Sequence, residues 1–396
     1  MIKIQANTPL FIAKNLLCAL LFTTSSLSFA TSDVSTTQFQ QAEVLLKQEK
    51  YAQAFELLKS AAEAGHVPAQ AELARQYMDE EADYFDYALA MQWAKKAAAA
   101  NNPSGMNSIG YLYNNSFGVE ENNPEAMKWF LKAANLGFSK AKYNVGKMYL
   151  DGQGIKQDVN KGLSLINTAA KEGYLDAQLE LADAYHLGCT EGVEINAKKA
   201  LYWYEQALKQ NDAEAQYQLG RIYQDGLEEI QPNAKKAVEY LTLAANQNHA
   251  YALNSLGVIY HDGQDNIQTD MTKAIAYYKQ AAKLGNEIAY ENLGLIYKQS
   301  NDIQTALEMY KKAGEMGSDE GYFNVAEMYD NSDKIKTDNK QSYKYYKLAA
   351  EAGHEDAQRR LAEMYEQGIA TKKDIRQQNY GLDLRTGDRQ KNTVKT

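Results

Sequence analysis

Proline is scarce, with five in 396 residues. A chain that so rarely fixes φ or drops a backbone donor leaves long helical runs uninterrupted, which favours an all-helical protein. Cysteine is scarcer still, limited to Cys18 and Cys189. One of the two lies in a leader expected to be removed, so neither a disulfide framework nor a cysteine-based zinc site can be assembled. Positive charge is in deficit, with a net charge of −9. Nucleic-acid binding wants a basic stripe, so no nucleic-acid partner is expected. After the N-terminus no apolar run approaches the ~20 residues a transmembrane helix needs, so no membrane span is expected. Signatures of bound groups are missing too: there is no P-loop, dinucleotide fingerprint or EF-hand loop. The histidines do not converge. His66, His249 and His354 share one turn position in three separate units, and His186 and His261 each follow a tyrosine. His354-Glu355-Asp356 lacks the second histidine of a zinc helix. No metal and no cofactor are expected.

What is present begins with a leader. Lys3 and Lys14 supply a positive start, Leu16 to Phe22 (LLCALLF) an apolar run, and Ser28-Phe29-Ala30 small residues at the −3 and −1 sites. Residues 1–30 therefore read as a secretory signal peptide cleaved after Ala30, with residues 31–37 (TSDVSTT) as a polar linker. The expected destination is the periplasm, with secretion as the alternative.

The body of the chain repeats. An alanine and a tyrosine sixteen residues apart recur nine times, from Ala61–Tyr77 through Ala133–Tyr149 to Ala349–Tyr365. Four residues after each alanine stands Gly or Asn: Gly65, Asn101, Gly137 and so on to Gly353. These residues best tolerate the left-handed backbone that ends a helix. Four further on stands Ala or Gly, small enough for helices to approach closely, and then [LIV]-[GA]-x-x-Tyr, as in Val145 to Tyr149. A second helix precedes each stretch, pairing a small residue such as Ala126 with bulky ones such as Trp129 and Phe130. Small against large at fixed spacing fills the space between helix layers. From each tyrosine to the next alanine the count varies between 16 and 22. The joint between units is thus fixed in length, whereas the loop inside a unit is not.

This run, with Gly-x-Gly after the tyrosine in Tyr149-Leu-Asp-Gly-Gln-Gly-Ile, resembles the Sel-one-like repeat, a longer relative of the tetratricopeptide repeat. The best local match is Val145 to Asp158, with looser ones at Gly118-Val119 and around Gly188 and Gly192-Val193. The resemblance covers about Tyr51 to Gly368, and it implies a right-handed α/α superhelical solenoid. The expected organisation is an N-terminal tetratricopeptide-like helix pair over 38–64 and a Sel-one-like solenoid over 65–369. Residues 370–396 form a cap and basic tail with seven Lys or Arg against three Asp, the cap a short helix from Lys373 to Gln378. It further implies a non-catalytic scaffold for a protein or peptide partner in the bacterial envelope or at a host.

In solenoids of this kind the first helix of each pair lines the concave face. Helical spacing leaves positions two and six before the tyrosine free of the core. That nominates Asn107 and Tyr111, Tyr143 and Lys147, Tyr217 and Arg221, Asn254 and Phe323 as partner-binding residues, with Val258 and Glu327 at the remaining positions. The alternative is that they pack between adjacent units.

A second class is an envelope enzyme of the penicillin-interacting or β-lactamase-like kind, suggested by Ser139-x-x-Lys142. Against it, Ser-Asp-Asn and Lys-Thr-Gly are missing, and Ser139 after Gly137 reads as a helix N-cap. A third class is a purely structural spacer.

Overall fold

The computed structural model describes residues 33–331 and 336–370. The leader, the Lys373–Gln378 cap and the basic tail lie outside the described residues. The chain divides into two compact units, residues 1–194 and 195–396. The first holds α1 (residues 33–47), α2 (Tyr51–Glu63), α3 (Val67–Gln76), α4 (Tyr87–Ala99), α5 (Pro103–Asn114), α6 (Asn123–Asn135), α7 (Ser139–Asp151), α8 (Val159–Lys171) and α9 (Leu175–Leu187). The second holds α10 (Ala197–Leu208), α11 (Ala213–Asp225), α12 (Ala234–Ala245), α13 (Ala250–Asp262), α14 (Met271–Lys283), α15 (Glu287–Gln299), α16 (Ile303–Glu315), α17 (Asp319–Asn331), α18 (Asn339–Ala352) and α19 (Glu355–Gln367). Within each unit every helix packs on the next in sequence, the pattern of an α/α solenoid. Extended structure among the described residues is limited to two isolated bridges, Leu227–Ile230 and Gln264–Ile267.

The expected linker is helical from residue 33 onward. Polar composition misled here: Thr37 returns its hydroxyl to the Asp33 carbonyl at 2.9 Å, so its side chain hydrogen-bonds within the helix.

The fixed joint has a specific construction. All nine Gly or Asn stops have positive φ, from 59° at Asn211 to 115° at Gly353. The amide after the stop then returns to the column alanine: His66 to Ala61, Tyr174 to Ala169 and His354 to Ala349, each at 3.0 Å. The stop's own amide bonds one residue later, as Gly65 to Ala62 at 3.0 Å. This is the Schellman ending, in which two orphan carbonyls are satisfied by the residues that leave the helix. The residue after the stop also serves as N-cap of the next helix. His66, Asn102, Asp212, His249, Asn286, Ser318 and His354 each accept the amide three residues on. One residue closes one helix and opens the next, so the joint tolerates no change in length.

The variable loop is closed differently. Its last residue is Asp or Asn, which caps the second helix with its side chain and sends its own amide back to the column tyrosine. Asp86 reaches the Tyr77 carbonyl at 3.0 Å, Asp158 reaches Tyr149 at 2.9 Å and Asp302 reaches Tyr297 at 2.9 Å. In loops of different length, from Tyr297–Asp302 to Tyr260–Asp270, the two ends are thus tied at one place.

Between the helices, bulky residues of the second helix fill the space left by small residues of the first. Tyr204, Tyr278 and Tyr346 are fully buried and Phe130 nearly so. A Cβ at Gly257 would stand 2.5 Å from the Tyr278 ring, so only glycine admits that tyrosine. The column tyrosines are covered by lysines of the second helix, as Lys161 over Tyr149 at 4.3 Å and Lys236 over Tyr223 at 4.5 Å.

Candidate functional site

On each first helix the residues one, three, four and eight before the tyrosine are directed into the core, where Leu256, Ile259 and Ala252 of α13 are buried. The nominated positions, two and six before it, differ in fate.

In the first unit Asn107 is buried, at 6% exposure, and its side-chain oxygen accepts the Asn144 amide of α7 at 2.9 Å. Tyr111 is exposed, at 41%, with its ring 5.8 Å from Phe117. Tyr143 is half-buried: its ring lies 5.3 Å from Tyr174, and its hydroxyl lies 3.4 Å from Glu180 of α9. Burial first, and the Glu180 carboxylate second, push the Tyr143 phenol above its ordinary range. Lys147 reaches the other Glu180 oxygen at 2.7 Å.

In the second unit Tyr217 stacks on His249 at 4.6 Å, and Arg221 donates to the Tyr217 hydroxyl at 3.2 Å while pairing with Asp225 at 2.9 Å. Asn254 accepts from Asn292 of α15 at 3.0 Å. Phe323 stacks on His354 at 4.1 Å.

A rule emerges from both units. Position six lies in the seam between consecutive first helices, against the next unit's cap residue or against the residue five before the next tyrosine. That partner position is polar in every unit: Glu72, Ser108, Asn144, Glu180, Gln218, Ser255, Asn292, Asn324 and Arg360. Position two is more open, with Tyr111, Arg221 and Leu295 exposed. Its companion on the same stripe, two helical turns earlier, is the residue nine before the tyrosine, exposed at Lys140, Asp176, Glu214, Tyr251, Ile288, Glu320 and Asp356. Position nine and the polar partner position went unread in the sequence. An invariantly polar column beside core columns is the signal that could have found the seam.

Chemically, these surfaces offer paired carboxylates, cations, amides and aromatic faces, which suit non-covalent recognition. The Ser139–Lys142 pair is differently placed from its expected role. Phe138, not Ser139, is the N-cap residue of α7, because the joint puts the cap directly after the stop. The Ser139 hydroxyl donates to Glu172 at 2.6 Å, and Lys142 pairs with the same carboxylate. Those two hydrogen bonds, Lys142 first, hold the Glu172 carboxyl below its usual range. An ammonium bound to a carboxylate is poorly placed to take the serine proton. Cys189 is free and exposed. Among the described residues no three His, Cys, Asp or Glu gather as a metal site, and no helix is long and apolar enough to cross a membrane.

Several solved structures resemble this fold. The Sel1 repeat protein of Oxalobacter formigenes is 23% identical over 82% of this chain and 93% of its own, with a TM-score of 0.60. A protective antigen of uropathogenic Escherichia coli with an SLR fold is 25% identical over 89% of this chain and 87% of its own, with a TM-score of 0.46. An immunity protein of Pseudomonas aeruginosa is 21% identical over 56% of this chain and 82% of its own, with a TM-score of 0.38. No curated protein sequence matches the chain. The Sel1 repeat profile matches at 46–66, 67–102, 103–138, 139–174, 175–212, 213–249, 250–286, 288–318, 319–354 and 355–377, with most boundaries at the joints described above. Joints, small columns and capped loops thus coincide with matched repeats nearly end to end, and the chain belongs to the Sel1 repeat family, helix-pair scaffolds that generally engage proteins and are typically non-catalytic.

Proposed function

We propose that this chain is an exported, non-catalytic scaffold that docks a segment of a partner protein along the exposed stripe of its first helices. The observation that carries this reading is the stripe itself: position nine before the tyrosine is exposed in most repeats and position two is never buried, while positions one, three, four and eight pack. A partner crossing the repeats gathers small contributions from each, the usual economy of a solenoid surface. The leader supports delivery to the bacterial envelope, or beyond it to a host.

The test uses the full chain as bait in bacterial envelope extract, beside a double variant, Tyr111→Ala with Arg221→Ala. Both residues are exposed, so the variant keeps its fold. A captured protein that is lost with the variant supports docking on the stripe. Capture that ignores the variant and a panel of further stripe substitutions would leave the spacer reading in its place. N-terminal sequencing of the exported form tests the leader, with Thr31 expected first.

A further inference from the structure

The stripe is not uniform. On α11 its two positions are Glu214 and Arg221, on α17 Glu320 and Glu327, and on α19 Asp356 and Glu363. The two first helices between α11 and α17, α13 and α15, break this pattern. On α13 the positions are Tyr251 and Val258, and on α15 Ile288 and Leu295. Three of these four are well exposed, Tyr251 at 47% and Ile288 and Leu295 at 40% each. An apolar island therefore sits in the second unit, where the stripe is otherwise charged. Val258 packs partly against the core, but nothing in the joint or the core requires the three exposed members, since those positions carry charge on α11 and α17.

The rim of the island is acidic. Glu287 and Glu291 lie on α15 beside Ile288, and Asp319 and Glu320 open α17. These carboxylates sense one another: burial first raises the Glu291 carboxyl above its ordinary range, the Ser318 hydroxyl bound to it opposes this, and Glu320, Glu287 and Asp319 add to the rise. Lys298 is the one cation on α15, at its last turn.

We infer that this island binds a cationic amphipathic segment of another protein, with aliphatic side chains on the island and Lys or Arg over the α15–α17 carboxylates. The inference rests on the docking role proposed above and names its partner chemistry. Apolar side chains removed from water supply affinity at roughly 25 cal/mol per Å². The carboxylates set the sign of the partner and its orientation. Ile288 and Leu295 are seven residues apart on one helix, so their side chains are spaced by about 10 Å. A polyproline-type segment matches that spacing with every third residue, and a helical one with every seventh.

The experiment measures fluorescence anisotropy with a labelled 14-residue leucine–lysine peptide and its leucine–glutamate counterpart, against the full chain. The leucine–lysine peptide is expected to bind and the other not to. Ile288→Ser with Leu295→Ser should weaken binding by at least about tenfold, as expected from losing two buried aliphatic contacts. Glu287→Gln with Glu320→Gln should weaken it less, and should flatten its dependence on salt. Lys95→Ala, exposed on α4 and off the first-helix stripe, should leave it unchanged. Equal binding of both peptides, or indifference to the serine variant, overturns the inference. Self-association that the serine variant abolishes assigns the island to a second copy and also overturns it. A synthetic peptide of residues 371–396 that binds more tightly than the leucine–lysine peptide assigns it to the chain's own basic tail, again against the inference. If the peptide fails while an envelope protein is still lost with the Tyr111 and Arg221 changes, the scaffold reading stands and only the partner chemistry falls.

Discussion

His249 and Glu214 face each other across a repeat joint, Nε2 to Oε2 at 3.1 Å, while the other ring nitrogen of His249 accepts the Ala252 amide at 3.2 Å. An acceptor at Nδ1 leaves the proton on Nε2, which donates to Glu214. That bond holds the Glu214 carboxyl below its usual range. His354 repeats the arrangement with Ala357 at 3.2 Å and Glu320 at 3.1 Å. The ring caps its own helix and ties it to the preceding first helix. His249→Ala should lower stability by about 1 kcal/mol, the usual cost of a lost N-cap. His249→Asn, which restores the cap as Asn102 and Asn286 provide it, should recover most of that loss. Urea unfolding midpoints at neutral pH decide between them.

His66 caps α3 in the same way, with its ring 4.9 Å from that of Phe39. Burial lowers its pKa in the folded chain, partly opposed by Glu43. The unfolded chain therefore takes up the proton first as pH falls below the ordinary histidine value of about 6.5. Between that value and the lower folded one the unfolded state binds more protons, so stability drops as pH falls; above it the contribution is flat. His66→Asn should reduce this slope without removing the cap. Melting temperatures recorded between pH 7.5 and 5 at constant ionic strength, conditions that span about the histidine range, would show it. An unchanged slope would place the sensitivity in other groups.

The columns that end helices or fill space were legible because they have one physical solution. Only Gly or Asn enters the left-handed region cheaply, so Gly65 to Gly353 marked the nine stops between repeats, while Glu49, which ends α1 with a φ of 59°, was not marked. Tyr278 could be buried only opposite Gly257, so the small column was legible too. The seam was harder. Position six before the tyrosine lies at the boundary between packed and open arcs of the helix, where one residue step, 100° of rotation, exchanges a groove for a neighbour. Tyr143 and Asn107 were for that reason expected to be accessible, and they lie half-buried and buried. Ser139 shows the same margin in sequence: a serine two residues past a stop looks like a cap, but the Schellman ending gives that role to the residue before it. The expected leader and basic tail were read from composition alone and lie outside the described residues.

Tyr278 combines a tight fit with an unused polar group. Its ring fills the space at Gly257, and its hydroxyl is buried with no hydrogen-bond partner among the described residues. Gly257→Ala should cost about 1–3 kcal/mol, because overpacking a rigid site moves the ring or the helix. Tyr278→Phe keeps the shape and removes an unsatisfied donor, so it should be neutral or stabilising by up to about 1 kcal/mol. Thermal denaturation of the two variants checks both signs. A destabilised Phe variant would mean that the hydroxyl finds a partner in solution.

The two ways of closing the chain make opposite demands on length. At the joint, Gly137 has a φ of 87°, Phe138 returns its amide to Ala133 at 3.2 Å, and the same residue opens α7. Deleting one residue there removes the left-handed stop and rotates α7 by about 100° relative to α6, turning its core face toward solvent. In the loop after Tyr149, by contrast, Asp158 returns to the Tyr149 carbonyl at 2.9 Å whatever lies between them, and corresponding loops in other repeats differ in length. Inserting two glycines between Gln153 and Gly154 should therefore cost only a few tenths of a kcal/mol of loop entropy, whereas deleting Gly137 should abolish cooperative unfolding of that repeat. Amide hydrogen exchange across α6 and α7 resolves the two cases. Protection should persist in the insertion variant and collapse locally in the deletion, and equal losses in both would mean that the tyrosine tie does not bear the load assigned to it.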